Sequence, residues 1–145
     1  MLTEPLSQAQ LNQLSPPALA SVGDSVYDLM IRAGLCADGV SRAGRLHRKR
    51  VEQVNAQAQA GAARRLEPHL TAEEADVFRR GRNTRPGSIP PSASREDYQA
   101  ATAFETLLGW LYLSGRYDRL RECFAIAAAT SVFCQDKYNC CQDDK

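Results

Sequence analysis

No stretch of this sequence approaches 18 apolar residues without a charge, so no segment of it reads as a membrane span. The opening MLTEPLSQAQ has an acid and no basic or apolar block, unlike a secretory signal. Bulky apolar side chains are scarce as well. Leu, Ile, Val and Phe make up 29 of 145 residues, against 21 alanines. Alanine favours helix but supplies little buried area, which predicts closely packed helices and a core that gains from a partner subunit. No segment shows convincing strand alternation, and there is no glycine-rich nucleotide loop. The expected fold class is all-α.

The length suits one domain. We expect residues 1–133 to form a helical domain with a short N-terminal lead-in. Residues 134–145 form a polar tail expected to be flexible, holding Cys134, Cys140 and Cys141 of the five cysteines. An odd count and no signal argue against a secreted disulfide framework, and adjacent Cys140 and Cys141 suit a zinc site poorly. Cys36 and Cys123 read as small packed hydrophobes. No cysteine has a histidine arrangement that points to covalent catalysis.

The net charge of +1 conceals a division. From Arg42 to Arg95 there are 12 Lys/Arg and 5 Asp/Glu, a balance of +7, and the rest of the chain is at −6. Two clusters are dense: Arg42-Ala-Gly-Arg-Leu-His-Arg-Lys-Arg50 and Arg79-Arg-Gly-Arg-Asn-Thr-Arg85. A polyphosphate backbone suits so many guanidiniums, which make forked, charge-assisted bonds to phosphate. The bland alternative is an uneven solvated surface. An anionic membrane fits less well, because the first cluster lacks a bulky apolar face.

The patterning predicts a lead-in helix over Leu6 to Leu14 and a cap at Ser15 before Pro16 and Pro17. A buried helix follows from Ala18, ending near Gly34, with a turn over Ala37 to Val40. Ser41 opens a helix expected to run through the basic cluster to Ala60, thinned or broken at Gly61. Ala62 to Leu70 continues helical, with Pro68 near a junction. Thr71-Ala-Glu-Glu74 is a capping box for a helix ending at about Arg80, with Gly81 as its stop. Gly81 to Ser94 reads as a long basic loop, more than a mere connection. Another helix starts near Ser94 and runs to a break at Ser114-Gly-Arg116, and the last spans Tyr117 to Phe133.

Two carboxylates stand in apolar company. Asp24 lies in Leu19-Ala-Ser-Val-Gly-Asp-Ser-Val-Tyr27, and Glu105 lies in Thr102-Ala-Phe-Glu-Thr-Leu-Leu-Gly-Trp110. A charge on the apolar side of a helix needs a partner or a metal. If the two helices pack, the pair can share a hard divalent cation, with Gly23 and Gly109 permitting close approach. The alternative is that each acid caps a boundary or pairs with Arg. Asp28 suits a boundary position outside the cation's immediate shell. His47, among Arg45, Arg48 and Lys49, suits substrate contact or a structural bond, and His69 a structural role.

Four segments in this order resemble the ribonuclease III family, and within it the small Mini-ribonuclease III group. They are Ala18-Leu-Ala-Ser-Val-Gly-Asp-Ser-Val-Tyr-Asp-Leu29, Leu46-His-Arg48, Phe78-Arg-Arg-Gly-Arg-Asn83 and Thr102-Ala-Phe-Glu-Thr-Leu-Leu-Gly-Trp-Leu-Tyr-Leu113. The resemblance implies an all-helical endonuclease domain, a helical bundle that forms a homodimer and cuts double-stranded RNA with Mg2+, for which Mn2+ substitutes. Asp24 and Glu105 match its catalytic, metal-binding acids. Full-size members carry two further acids where this chain has Pro17 and Thr102, a departure it shares with the small group. The remaining length leaves no room for a separate RNA-binding domain, which moves substrate holding to Arg45, His47, Arg48, Lys49, Arg79, Arg80, Arg82, Asn83, Arg85 and Arg95. The group's implied substrate is precursor 23S ribosomal RNA in a bacterial cytoplasm, with assistance from a ribosomal protein. A non-catalytic double-stranded RNA binder or ribosome-assembly protein that keeps the fold is the alternative.

Overall fold

A computed structural model describes residues 4–128. Its α-helices are α1 (Gln8–Gln13), α2 (Pro16–Ala37), α3 (Ala43–Gln53), α4 (Ala56–Leu66), α5 (Ala72–Arg82), α6 (Arg95–Leu113) and α7 (Tyr117–Ala127). A short 3-10 turn, Glu67–His69, joins α4 to α5. No strand occurs among the described residues, and no described helix is long and apolar enough to cross a membrane.

The bundle is organised around α6. Residues 103–111 of that helix are all buried apart from Glu105, so it is apolar all round, as a central helix must be. Helices α2, α4 and α5 pack against it. Phe78, Phe104, Ile31, Leu66, Leu107, Leu108 and Leu111 are the large, fully buried side chains where these helices meet. Each such side chain contributes about 2 kcal/mol through burial. Tyr27 on α2 meets the Phe104 ring edge-on, with centroids 5.1 Å apart. Among α4's buried residues, Ala60, Ala62 and Ala63 let it lie close to α6.

Local capping follows the sequence closely. Ser15 Oγ accepts from the Ala18 N–H, with prolines in the first turn of α2. The Thr71 capping box forms in both directions, at 2.9 and 3.3 Å. Glu74, the reciprocal member of that box, is buried and also accepts two bonds from Arg119 on α7, at 2.8 and 2.9 Å. The Arg119 hydrogen bond holds the Glu74 carboxyl below its ordinary range despite burial.

Several boundaries differ from expectation. Helix α2 continues through Gly34 to Ala37, closed by Gly39 at φ +86°. That carries Cys36 beyond the last core residue, Leu35, so Cys36 is exposed and only Cys123 is the packed thiol expected. The helix expected from Ser41 to Ala60 is two helices. Asn55 is extended, and its Oδ1 accepts from the Ala58 N–H, so it starts α4 de novo and Gly61 falls inside a continuous helix. Arg42, not Ser41, stands at the start of α3, without a side-chain cap bond. Gly81 does not stop α5, which runs on to Arg82. A Cβ at Gly81 would stand 2.5 Å from Thr106 Oγ1, so that glycine serves helix packing. The described part of the last helix ends at Ala127, and its expected continuation to Phe133, with the 134–145 tail, lies outside the described residues.

Candidate active site

The site begins with two glycines. Helices α2 and α6 cross where Gly23 faces Gly109. A Cβ on Gly23 would lie 1.7 Å from the Glu105 carbonyl oxygen, and one on Gly109 would lie 1.9 Å from that of Leu19. No side chain fits between the two backbones. Asp24 follows Gly23, so this approach fixes how near its carboxylate comes to that of Glu105.

Both carboxylates line one open cleft of about 380 Å³. Its α2 wall includes Pro17 and Ser21, its α6 wall includes Tyr98 and Thr102, and Thr84-Arg85-Pro86-Gly87 closes the third side. Pro17 and Thr102 are the two positions where the resembling full-size enzymes carry acids. They lie on the cleft wall but supply no carboxylate. Thr102 Oγ1 donates instead to the Tyr98 carbonyl at 2.9 Å.

Burial raises the pKa of Glu105, and the nearby Asp24 charge raises it further, to about 7. Gln59 of α4, beside the carboxylate, acts in the opposite direction. Neither acid pairs with Lys or Arg among the described residues. The alternative in which each acid finds an arginine describes Asp28 instead. Asp28 joins Arg32 at 3.0 Å and also Arg50. Burial opposes its ionisation, but the two guanidiniums prevail and hold it below the ordinary range.

Two neighbouring carboxylates without a countercharge, one of them buried, fit a hard divalent cation with oxygen ligands. Asp24 and Glu105 are the residues that would hold it. Among the described residues no group of three or more His, Cys, Asp or Glu could do so, so other oxygen ligands must complete the shell.

Nothing in the residue pattern singles out Gln59. It is buried on the alanine face of α4, and its Nε2 lies near Glu105 but without hydrogen-bond geometry to any acceptor among the described residues. Leaving such a donor unsatisfied costs about 1–3 kcal/mol. In sequence it is one glutamine in an alternating Gln/Ala run, and only its spacing of three, four and seven residues before Ala62, Ala63 and Leu66 puts it on their face.

Of the ten basic and polar residues expected to hold RNA, only Arg85 lines the cleft. Arg45, His47 and Arg48 are exposed on α3 and Lys49 is half-buried, all without ion pairs, as is Arg95 at the start of α6. Arg79 and Arg80 share Asp76 on α5. Arg82 stacks over Phe78 at 5.0 Å and pairs with Glu67 at 2.9 Å. Asn83 is exposed at the α5 C-cap. His69 is exposed in the 3-10 turn, and its carbonyl accepts from Arg119 at 2.8 Å.

Residues 17–116 match the model of the ribonuclease III domain family. The chain is 44% identical over 115 residues to Mini-ribonuclease 3 of Symbiobacterium thermophilum, covering 79% of this chain and 88% of that protein. It is 41% identical over 119 residues to Mini-ribonuclease 3 of Thermoanaerobacter, covering 82% and 84%. The chain belongs to the Mini-ribonuclease III family.

A crystal structure of a Fusobacterium nucleatum protein shares the fold, with a TM-score of 0.74 at 23% identity, covering 83% of this chain and 96% of that one. Membership of the Mini-ribonuclease III family makes this chain a ribonuclease in the coarse sense.

Proposed function

We propose that this protein is a divalent-metal-dependent endoribonuclease that hydrolyses phosphodiester bonds in double-stranded RNA, with Mg2+ as the cation and Mn2+ able to replace it. The observation that carries the reading is the unpaired Asp24–Glu105 pair on one cleft with Arg85. Asp24 on α2 and Glu105 on α6 would hold the cation between them. A bound divalent cation supplies Lewis acidity that activates water and screens charge developing on the phosphate. Arg85 draws the RNA backbone into the cleft by charge-assisted bonds. Rigid α2–α6 contact keeps the two carboxylates in register, so little reorganisation accompanies reaction. In the hydrolysis, water oxygen bonds to phosphorus and gives up a proton, the P–O bond of the chain breaks, and the departing oxygen takes up a proton.

Cutting both strands calls for two similarly placed sites, which a homodimer provides. The outer face of α2 supports this. Val22, Val26, Leu29 and Met30 border an apolar groove of about 1000 Å³ completed by Tyr112 and Leu120, and Leu29 is 63% exposed. A second copy of α2 is the occupant we assign to it. The unpaired Arg45, Arg48, Lys49 and Arg95 suit contacts to the phosphates and 2′-hydroxyls of A-form RNA, a shape-led recognition. Precursor 23S ribosomal RNA, with a ribosomal protein assisting, is the substrate we assign from the resemblance. A bacterial cytoplasm is the location, consistent with the bacterial relatives.

The absent acids at Pro17 and Thr102 favour one other reading, a non-catalytic double-stranded RNA binder. Incubating purified protein with a precursor 23S stem decides between them. Cleavage that appears with Mg2+ and stops with EDTA supports the enzyme, and binding without cleavage at any Mg2+ or Mn2+ concentration supports the binder.

A further inference from the structure

Gln59 is the feature of the bundle that packing does not explain. The buried face of α4 is otherwise built from Ala60, Ala62, Ala63 and Leu66, which are wholly or almost wholly buried. A leucine or methionine would fill the same space without burying a polar group. Gln59 is only 4% exposed, and its Nε2 has no acceptor among the described residues. The charged group it lies beside is the Glu105 carboxylate. An amide can serve a carboxylate by fixing one oxygen with an N–H bond, which leaves the other free to turn elsewhere.

We propose that Gln59 is a positioning residue of the active site, whose buried and otherwise unused Nε2 amide is the donor that takes one oxygen of the neighbouring Glu105 carboxylate when the cation binds, leaving the other for Asp24's side of the cleft. It rests on Asp24 and Glu105 being the pair that holds the cation. Gln59 itself touches neither cation nor RNA. Its amide is neutral, so it orients Glu105 without offsetting the charge that attracts the cation. A lysine or arginine at this place would pair with Glu105 and compete with the metal.

Mn2+ binding to the full-length, RNA-free protein, followed by electron paramagnetic resonance of the free ion, tests this with wild type, Gln59→Met and Gln59→Glu. Gln59→Met keeps the volume and removes the donor. It is expected to weaken Mn2+ binding at least threefold while its thermal midpoint stays level or rises. In cleavage assays the half-saturating Mg2+ concentration rises at least fivefold, and KM for duplex RNA moves less than twofold. Unchanged Mn2+ affinity, or a raised KM with unchanged metal dependence, overturns the proposal. Should Gln59→Met fail to fold, Gln59→Glu decides. A carboxylate against Glu105 makes the thermal midpoint respond more strongly to Mn2+ than in wild type, and an identical response overturns the proposal. Asp24→Asn and Glu105→Gln run alongside. If both bind Mn2+ as wild type does, the cation pair itself is wrong and the proposal falls with it.

Discussion

Gly23 lies so close to Glu105 that a Cβ on the glycine would stand 1.7 Å from the Glu105 carbonyl oxygen. The residue after that glycine is Asp24. Two residues of the cleft are therefore coupled through backbone, not through flexible side chains. The contact also explains why both helices carry a glycine at the crossing.

Replacing Gly23 with alanine should do more than lower helix entropy. The methyl meets backbone, which cannot swing aside, so α2 and α6 must separate. A loss of about 3 kcal/mol or more is expected, at the upper end of overpacking costs. Gly109→Ala, aimed at the Leu19 carbonyl, should behave alike. Urea unfolding measures the loss, and cleavage by whatever fraction still folds should be strongly reduced. Near-wild-type stability in either variant would contradict the close crossing.

The raised pKa of Glu105 sets a pH dependence of stability. Burial and the neighbouring Asp24 charge push the folded-state carboxyl up to about 7, against an ordinary 4.5. The neutral form is thus favoured by folding. Its stabilisation is full below about pH 4.5 and is lost as pH rises through 7. Glu105→Gln removes this loss, so it should exceed wild type in stability at pH 8 by up to about 3 kcal/mol and show no such gain at pH 4. Adding Mn2+ at pH 8 should stabilise wild type and leave Glu105→Gln unmoved. Thermal unfolding across pH, with and without Mn2+, checks both.

Much of this site was legible beforehand. Asp24 and Glu105 stood out as charges among apolar neighbours, and each had a glycine nearby, so the crossing helices followed from the residues themselves. Capping was equally direct, since Ser15, Thr71 and Ser94 each act through bonds three residues away. What failed were glycines and breaks whose meaning is tertiary. Gly81 read as a helix stop because its partner, Thr106, is distant in sequence. The break before α4 hinged on Asn55 adopting an extended backbone in a run that looked uniformly helical. Gln59 was invisible because Gln57 and Gln59 look alike until packing buries one and leaves the other at the surface.

Arg85 and Arg82 should separate in their effects on RNA binding. Arg85 has no ion pair and lines the cleft, so Arg85→Ala should weaken duplex binding and reduce the salt slope by about one, with an unchanged thermal midpoint. Arg82 already serves Glu67 and the Phe78 ring, so Arg82→Ala should also cost about 0.5–1 kcal/mol of stability. Fluorescence titrations of a labelled duplex at several salt concentrations measure the slopes. An identical slope for Arg85→Ala and wild type would remove Arg85 from the phosphate contacts.

The apolar groove beside α2 gives a test of assembly. Leu29→Glu puts a charge at its exposed edge, where no core packing is disturbed. Sedimentation velocity should show a dimer for wild type and a monomer for the variant, with helicity unchanged. A wild-type monomer at tens of micromolar would contradict the assignment of a second copy to this face.

In the proposed function Asp24 and Glu105 act together in metal-dependent cleavage. Single-turnover cleavage of duplex RNA by wild type, Asp24→Asn and Glu105→Gln, at saturating protein with Mg2+, tests it most directly. Wild type should cut, and each variant should lose about 10²-fold or more in rate while still folding and binding the duplex. Cleavage by both variants at the wild-type rate would contradict the account.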